Sequence, residues 1–144
     1  MMYPSEVKKN NYGLCLVATK DLPPGSVVQH WEGSVVEKYE NVPEKMKLHA
    51  ILVDDKWLVP SNDAQYANHS CEPNCMVDDN LDVVTIKPVK KGEELTFDYC
   101  VTYEGEDPGQ WHDEWTFACR CGSKKCRGRI DKYVTEEGKP FVKS

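Results

Sequence analysis

The chain has 144 residues, of which 40% are apolar and 29% charged, enough for one domain at roughly 150 residues per domain. That balance excludes wholesale disorder, and 18 Lys and Arg against 24 Asp and Glu give a net charge of −6, which argues against a chain whose main task is to coat nucleic acid. No run of about 18 apolar residues is present to span a membrane, and the opening MMYPSEVKKN has no apolar stretch of the secretory type, so an intracellular chain is expected.

Short extended runs dominate. Leu14 to Ala18 reads as a strand and is followed by a turn, Lys20 to Gly25, in which Pro23 and Pro24 fix φ and Gly25 is permissive. Val27 to Val36 resumes extended patterning, broken at Gly33. Ala50 to Val53 and Trp57 to Val59 flank Asp54-Asp55-Lys56, which predicts a hairpin with a three-residue loop. A second hairpin is expected from Met76-Val77 through Asp78-Asp79-Asn80 into Leu81 to Ile86. Only Glu44 to His49 has helical character. Val134 to Ser144 is polar, with Gly138 and Pro140, and reads as a loose tail. Spacing of this kind predicts a mainly β domain of several small sheets rather than a βαβ fold.

Seven cysteines, an odd number in a chain read as intracellular, argue against a disulfide framework. Their placement is more informative. Cys119, Cys121 and Cys126 stand within eight residues with Gly and Lys between them, the pattern of zinc ligands in a tight knuckle. A structural zinc takes four ligands, and spacing alone leaves Cys15, Cys71, Cys75, Cys100 and the histidines open as the fourth. Six cations and one anion lie between Cys119 and Lys132, and a zinc tetrathiolate of charge −2 accounts for part of that excess. Upstream, Glu104, Glu106, Asp107, Asp113 and Glu114 form an acidic stretch.

Two further patterns precede the knuckle: Asn68-His69-Ser70-Cys71-Glu72-Pro73-Asn74, and Glu94-Leu95-Thr96-Phe97-Asp98-Tyr99. Each alone admits a structural reading, a polar turn in one case and a half-buried strand in the other. In this order and spacing, the three patterns resemble the SET-domain protein lysine methyltransferases with a post-SET zinc motif. The resemblance covers about Val7 to Lys132. It implies a fold of small sheets with a C-terminal pseudoknot, in which Asn68–Asn74 and Glu94–Tyr99 lie side by side. The implied organisation is a SET domain over 5–102, an acidic connection over 103–118, a post-SET zinc motif over 119–132 and a tail over 133–144. There are departures: Cys15 stands where the family often has the second glycine of Gly-x-Gly, and Trp31 where it usually has tyrosine.

The resemblance implies transfer of methyl from S-adenosylmethionine to a lysine of a basic, histone-like protein. It assigns cofactor binding to Tyr12, Gly13, Leu14, Asn68, His69 and Tyr99, and catalysis to Tyr99. It places Trp31, Tyr66 and Phe97 in the lysine channel, with Trp111, Trp115 and Phe117 over the adenine or the channel mouth. Cys71 becomes the fourth zinc ligand beside Cys119, Cys121 and Cys126, which leaves Cys15, Cys75 and Cys100 as buried reduced thiols. Phe97 implies di- or trimethylation, and the acidic stretch implies electrostatic steering of a cationic substrate. No sequence-specific nucleic-acid binding and no membrane association are expected; the location is cytoplasmic, or nuclear and chromatin-associated in a eukaryote. The alternatives are a catalytically dead, zinc-stabilised binding module and a small zinc-containing nucleic-acid binder.

Overall fold

Runs of two to six residues cannot build one long sheet. In the computed structural model, which describes residues 3–10, 13–47, 49–53, 55–101, 111–135, 137, 139 and 140, they build five small ones. Strand β1 (Ser5–Asn10) pairs antiparallel with β2 (Gly13–Ala18), from Ser5 opposite Ala18 to Asn10 opposite Gly13. The sequence reading found β2 and missed β1, because Val7 is the sole apolar residue in SEVKKN. Pairing with the buried β2, rather than alternation of its own, holds β1 in place.

β3 (Val27–His30), β8 (Cys75–Val77) and β9 (Asp82–Thr85) form one sheet in the order β3-β9-β8. β4 (Gly33–Val36), β5 (Ile51–Val53) and β6 (Lys56–Pro60) form another, in the order β4-β6-β5. Both predicted hairpins are present. In the first, Val53 pairs with Lys56, so Lys56 belongs to the strand and the loop is one residue shorter than expected. In the second, Asp78 Oδ1 accepts from the amides of Asn80 at 2.9 Å and Asp82 at 3.0 Å, and Leu81 adopts φ 65° to close the turn. The predicted helix at Glu44 to His49 reduces to one 3-10 turn, Glu44–Met46. Gly33 opens β4 where its backbone crosses β6, and a Cβ there would overlap the Val59 carbonyl oxygen.

The main core lies under these sheets and includes Leu16, Val28, Trp31, Ala64, Ala67, Val83 and Leu95. A second cluster, Cys100, Cys119, Ile130 and Val134, gathers the C-terminal region around the cysteine knuckle. There β11 (Phe117–Ala118) pairs with β12 (Arg129–Ile130). Val134, assigned to a loose tail by its polar surroundings, is instead 3% exposed. Its amide donates to the Cys100 carbonyl, and it bridges Val101 and Pro140. The tail therefore begins beyond the cluster, and residues 141–144 lie outside the described residues.

Two distant segments meet at the centre. β7 (Asn68–His69) runs parallel to β10 (Thr96–Phe97), Asn68 opposite Thr96 and His69 opposite Phe97. Strands of two residues have little ladder of their own, so side chains complete the joint. Asn74 donates from Nδ2 to the Glu94 carbonyl at 2.8 Å and accepts at Oδ1 from the Thr96 amide at 2.9 Å. The two sequence patterns thus lie side by side, as the pseudoknot reading requires.

Candidate functional site

Tyr99 sits just beyond the β7–β10 joint, where two cavities share a wall. One, of about 540 Å³, is a cleft whose polar lining includes Asn10, Asn68, Ser70, Glu94 and Thr96. The other, of about 140 Å³, is walled largely by aromatic rings, among them Trp31, Trp57, Phe97, Trp111 and Trp115. Tyr99, Phe117 and His49 border both. The Tyr99 hydroxyl donates to the Ala67 carbonyl at 2.7 Å, which fixes the ring and leaves the oxygen lone pairs as acceptors. Burial, reinforced by the Glu94 carboxylate, raises the phenol well above its ordinary value, so it stays protonated at neutral pH.

The Asn68 amide crosses the cleft wall, donating to the Leu14 carbonyl at 3.2 Å and to the Glu94 carboxylate at 3.0 Å. Leu14 lines the cleft, whereas Cys15 is buried beside it, its thiol raised first by burial and then by Glu94. Gly13 has φ 131°, a backbone region open to glycine. Tyr12 lies outside the described residues.

His69, assigned to cofactor binding, lines the polar cleft, and its imidazole also has structural partners. Its side chain is 3% exposed, and desolvation lowers the imidazole to about 4, the nearby Asp98 opposing and Arg127 reinforcing the shift. Nδ1 accepts the Tyr99 amide at 3.0 Å, so the proton belongs on Nε2, which faces Cys71 Sγ at 3.4 Å. The ring also meets Tyr99 and Phe117 edge-on. His69 therefore joins the Tyr99 backbone to the cysteine cluster.

That cluster consists of Cys71, Cys119, Cys121 and Cys126, whose ligand atoms all lie within 4.8 Å of one another. Cys71 and Cys119 sulfurs are 3.7 Å apart, and a tetrahedral zinc with bonds of about 2.3 Å requires about 3.8 Å. Burial alone raises the Cys121 thiol, but hydrogen bonds at Cys71 and Ser123 bring it down to about 6. The Arg127 amide donates to Cys71 Sγ at 3.4 Å. Four clustered thiols with N–H donors aimed at one of them fit a structural zinc. Arg127 also reaches back to Asp98, Nη2 to Oδ2 at 2.6 Å, tying the knuckle to the segment that carries Tyr99. Cys75 and Cys100, read as buried reduced thiols, are free and 1% exposed.

The structure separates the predicted channel residues. Trp31 and Phe97 pack edge-on with ring centroids 6.1 Å apart and line the aromatic pocket. Tyr66 is half-buried in a 3-10 turn and is not part of that wall. Trp111 and Trp115 line the aromatic pocket rather than the polar cleft, and Phe117 borders both. Sequence reasoning missed Trp57 and Tyr133, which line the pocket, and Tyr39 and His112, which pack on its Trp57 and Trp115. Tyr39 stacks on His112 at 3.9 Å, and Trp115 Nε1 donates to the Lys47 carbonyl at 3.0 Å. No local spacing links these residues, since the chain between them is long. Glu94 lies inside a quoted motif, but nothing in the motif marked its side chain as part of the cleft.

Comparison with known proteins agrees with this geometry. The family model described as the SET domain matches residues 13–100. The chain is 38% identical over 101 residues to the Fusarium mangiferae histone-lysine N-methyltransferase, H3 lysine-9 specific KMT1, covering 61% of this chain and 28% of that protein. It is 29% identical over 143 residues to the Drosophila virilis histone-lysine N-methyltransferase trithorax, covering 87% of this chain and 4% of the relative. It thus spans only a small part of the length of these relatives. Among solved structures, KRYPTONITE in complex with mCHH DNA, an H3(1-15) peptide and SAH superposes with a TM-score of 0.64 at 26% identity, covering 90% of this chain and 30% of that one. With the family match spanning the β7–β10 joint and ending one residue past Tyr99, the chain belongs to the SET-domain family.

Proposed function

We propose that the protein is a lysine N-methyltransferase that moves a methyl group from S-adenosylmethionine to a lysine side chain of a basic, histone-like protein. The observation that carries the reading is the pair of unlike cavities meeting at Tyr99: a polar cleft suited to a charged cofactor and an aromatic pocket suited to an alkyl-ammonium. The relatives' printed activity and the SAH bound in the superposed structures support it.

S-adenosylmethionine supplies an electrophilic methyl on a sulfonium. The protein's task is to present a neutral amine in line with it. A free lysine has a pKa near 10.4, and the rings of Trp31, Phe97, Trp111 and Trp115 offer the amine little hydration, which favours its neutral form. Leu14 and Asn68 hold the amino-acid end of the cofactor. Tyr99, its proton committed to Ala67, directs its oxygen toward the reacting groups and acts by orientation and electrostatics. It is no base, because its phenol is already protonated and held so. The amine proton departs to water.

Cys71, Cys119, Cys121 and Cys126 would hold a zinc ion, whose part would be structural, fastening the post-SET segment beside the wall shared by the two cavities. We assign the SET domain to 5–102, the acidic connection to 103–118 and the zinc motif to 119–132, with Tyr133 and Val134 packed on its cluster before the tail. The connection's Glu104, Glu106 and Asp107 lie outside the described residues. A described groove of about 340 Å³ beside Phe97 and Tyr99 carries Asp78 and Asp79, with no Lys or Arg in its lining, in keeping with a Lys-rich substrate. Phe97 has no hydroxyl to hold a water or an amine, so we assign di- or trimethylation. With a basic chromatin substrate, the proposed location is at chromatin, which in a eukaryote means the nucleus. The dead-module alternative gives no reason for the polar cleft and the aromatic pocket to meet at Tyr99.

Incubation with radiolabelled S-adenosylmethionine and purified histones tests the reading. Label on histone lysines is expected, and saturable cofactor binding without any transfer favours the dead module.

A further inference from the structure

The half-buried Glu94 carboxylate lines the polar cleft and, among the described residues, meets only neutral donors: Asn68 Nδ2 at 3.0 Å on one oxygen and Asn10 Nδ2 at 3.4 Å on the other. Among the described residues no cation pairs with it. A carboxylate drawn from water and met by amides alone regains less than one that meets a cation. Asn68 draws three acceptors to one part of the wall. Its amino group bonds both the Leu14 carbonyl and Glu94, which leaves its own Oδ1 free to accept. Two neutral oxygens and one anionic group match a primary ammonium, which brings three donors and one positive charge.

We propose that Glu94 is the anionic anchor for the α-ammonium at the methionine end of the cofactor, a role that rests on the methyltransferase reading above. Glu94 thus belongs to binding rather than to the chemical step. Methyl transfer leaves the ammonium unchanged, so an anchor there serves the reactant and the product cofactor alike. A carboxylate placed against the sulfonium would instead hold the reactant more tightly than the neutral thioether product.

Calorimetric titration with two neutral-sulfur ligands tests this. S-adenosylhomocysteine carries the α-ammonium, and 5′-methylthioadenosine lacks the whole amino-acid end. Loss of one charge-assisted hydrogen bond in Glu94→Gln should weaken S-adenosylhomocysteine by about 10- to 100-fold and 5′-methylthioadenosine by no more than about twofold. In turnover, KM for S-adenosylmethionine should rise while kcat is largely kept. Equal weakening of both ligands, or no weakening of either, overturns the role. If Glu94→Gln does not fold, Glu94→Asp, which keeps the charge and shortens its reach, is read by the same pair of ligands. A wild-type protein that binds neither ligand contradicts the methyltransferase reading itself. Wild-type binding with an unaffected variant contradicts only the role of Glu94.

Discussion

At Asn74 a single buried side chain joins two loops, through one donor to the Glu94 carbonyl and one acceptor to the Thr96 amide. Asn74→Ala leaves both backbone groups without that partner and should cost about 2–6 kcal/mol of stability, at about 1–3 kcal/mol per unmet buried group; denaturant unfolding measures it. The Tyr99 hydroxyl holds one structural bond, to the Ala67 carbonyl, so Tyr99→Phe loses about 1–3 kcal/mol of stability at most. Tyr99→Phe should keep S-adenosylhomocysteine affinity while methyl transfer falls by about 100-fold or more, the scale expected when a preorganised polar group is removed from a reacting centre. Turnover at the wild-type rate contradicts the assignment. Both residues were legible because they sit in motifs whose order and spacing carry meaning. Tyr39 and His112 were not, because a ring stack between distant segments is written only in the tertiary fold.

Among the elements, β2 and both hairpins were legible from short β-prone runs bounded by Asp, Gly and Pro. β1 was not, for a charged edge strand takes its register from its neighbour. β7 and β10 are too short for any periodicity to show and emerged only through the resemblance. Gly33 is a point where an element depends on a missing side chain: Gly33→Ala drives a methyl into the Val59 carbonyl of β6, so the strand pair must separate. Thermal unfolding should show a lower midpoint, and an unchanged one would mean that β4 and β6 shift apart freely. Arg127 joins elements by charge. Its partner Asp98 is 8% exposed, and Arg127→Ala should cost about 3 kcal/mol, since breaking a buried pair strands the remaining charge. Asp98→Asn combined with Arg127→Ala should recover part of that loss.

At the scale of the whole molecule, the chain is two clusters held together at one seam. The main core supports the sheets, and the C-terminal cluster gathers around four thiols, one of them, Cys71, supplied by the main domain. Zinc at these thiols would make that seam a bond. Purified protein should carry about one zinc per chain, the number a four-thiolate structural site takes. Cys71→Ser should lose most of it, and full retention by that variant would remove Cys71 from the ligand set. The knuckle was legible from spacing, but the fourth ligand was not, because spacing says nothing about which distant thiol folds onto it. The central claim is that cleft and pocket meet at Tyr99 to methylate lysine. Mass spectrometry of a Lys-rich histone peptide after incubation with wild-type protein and S-adenosylmethionine tests it most directly. Two or three methyl groups on a single lysine, absent with Tyr99→Phe, is the predicted result; a zinc-loaded protein that binds S-adenosylhomocysteine yet leaves every lysine unmodified would contradict it.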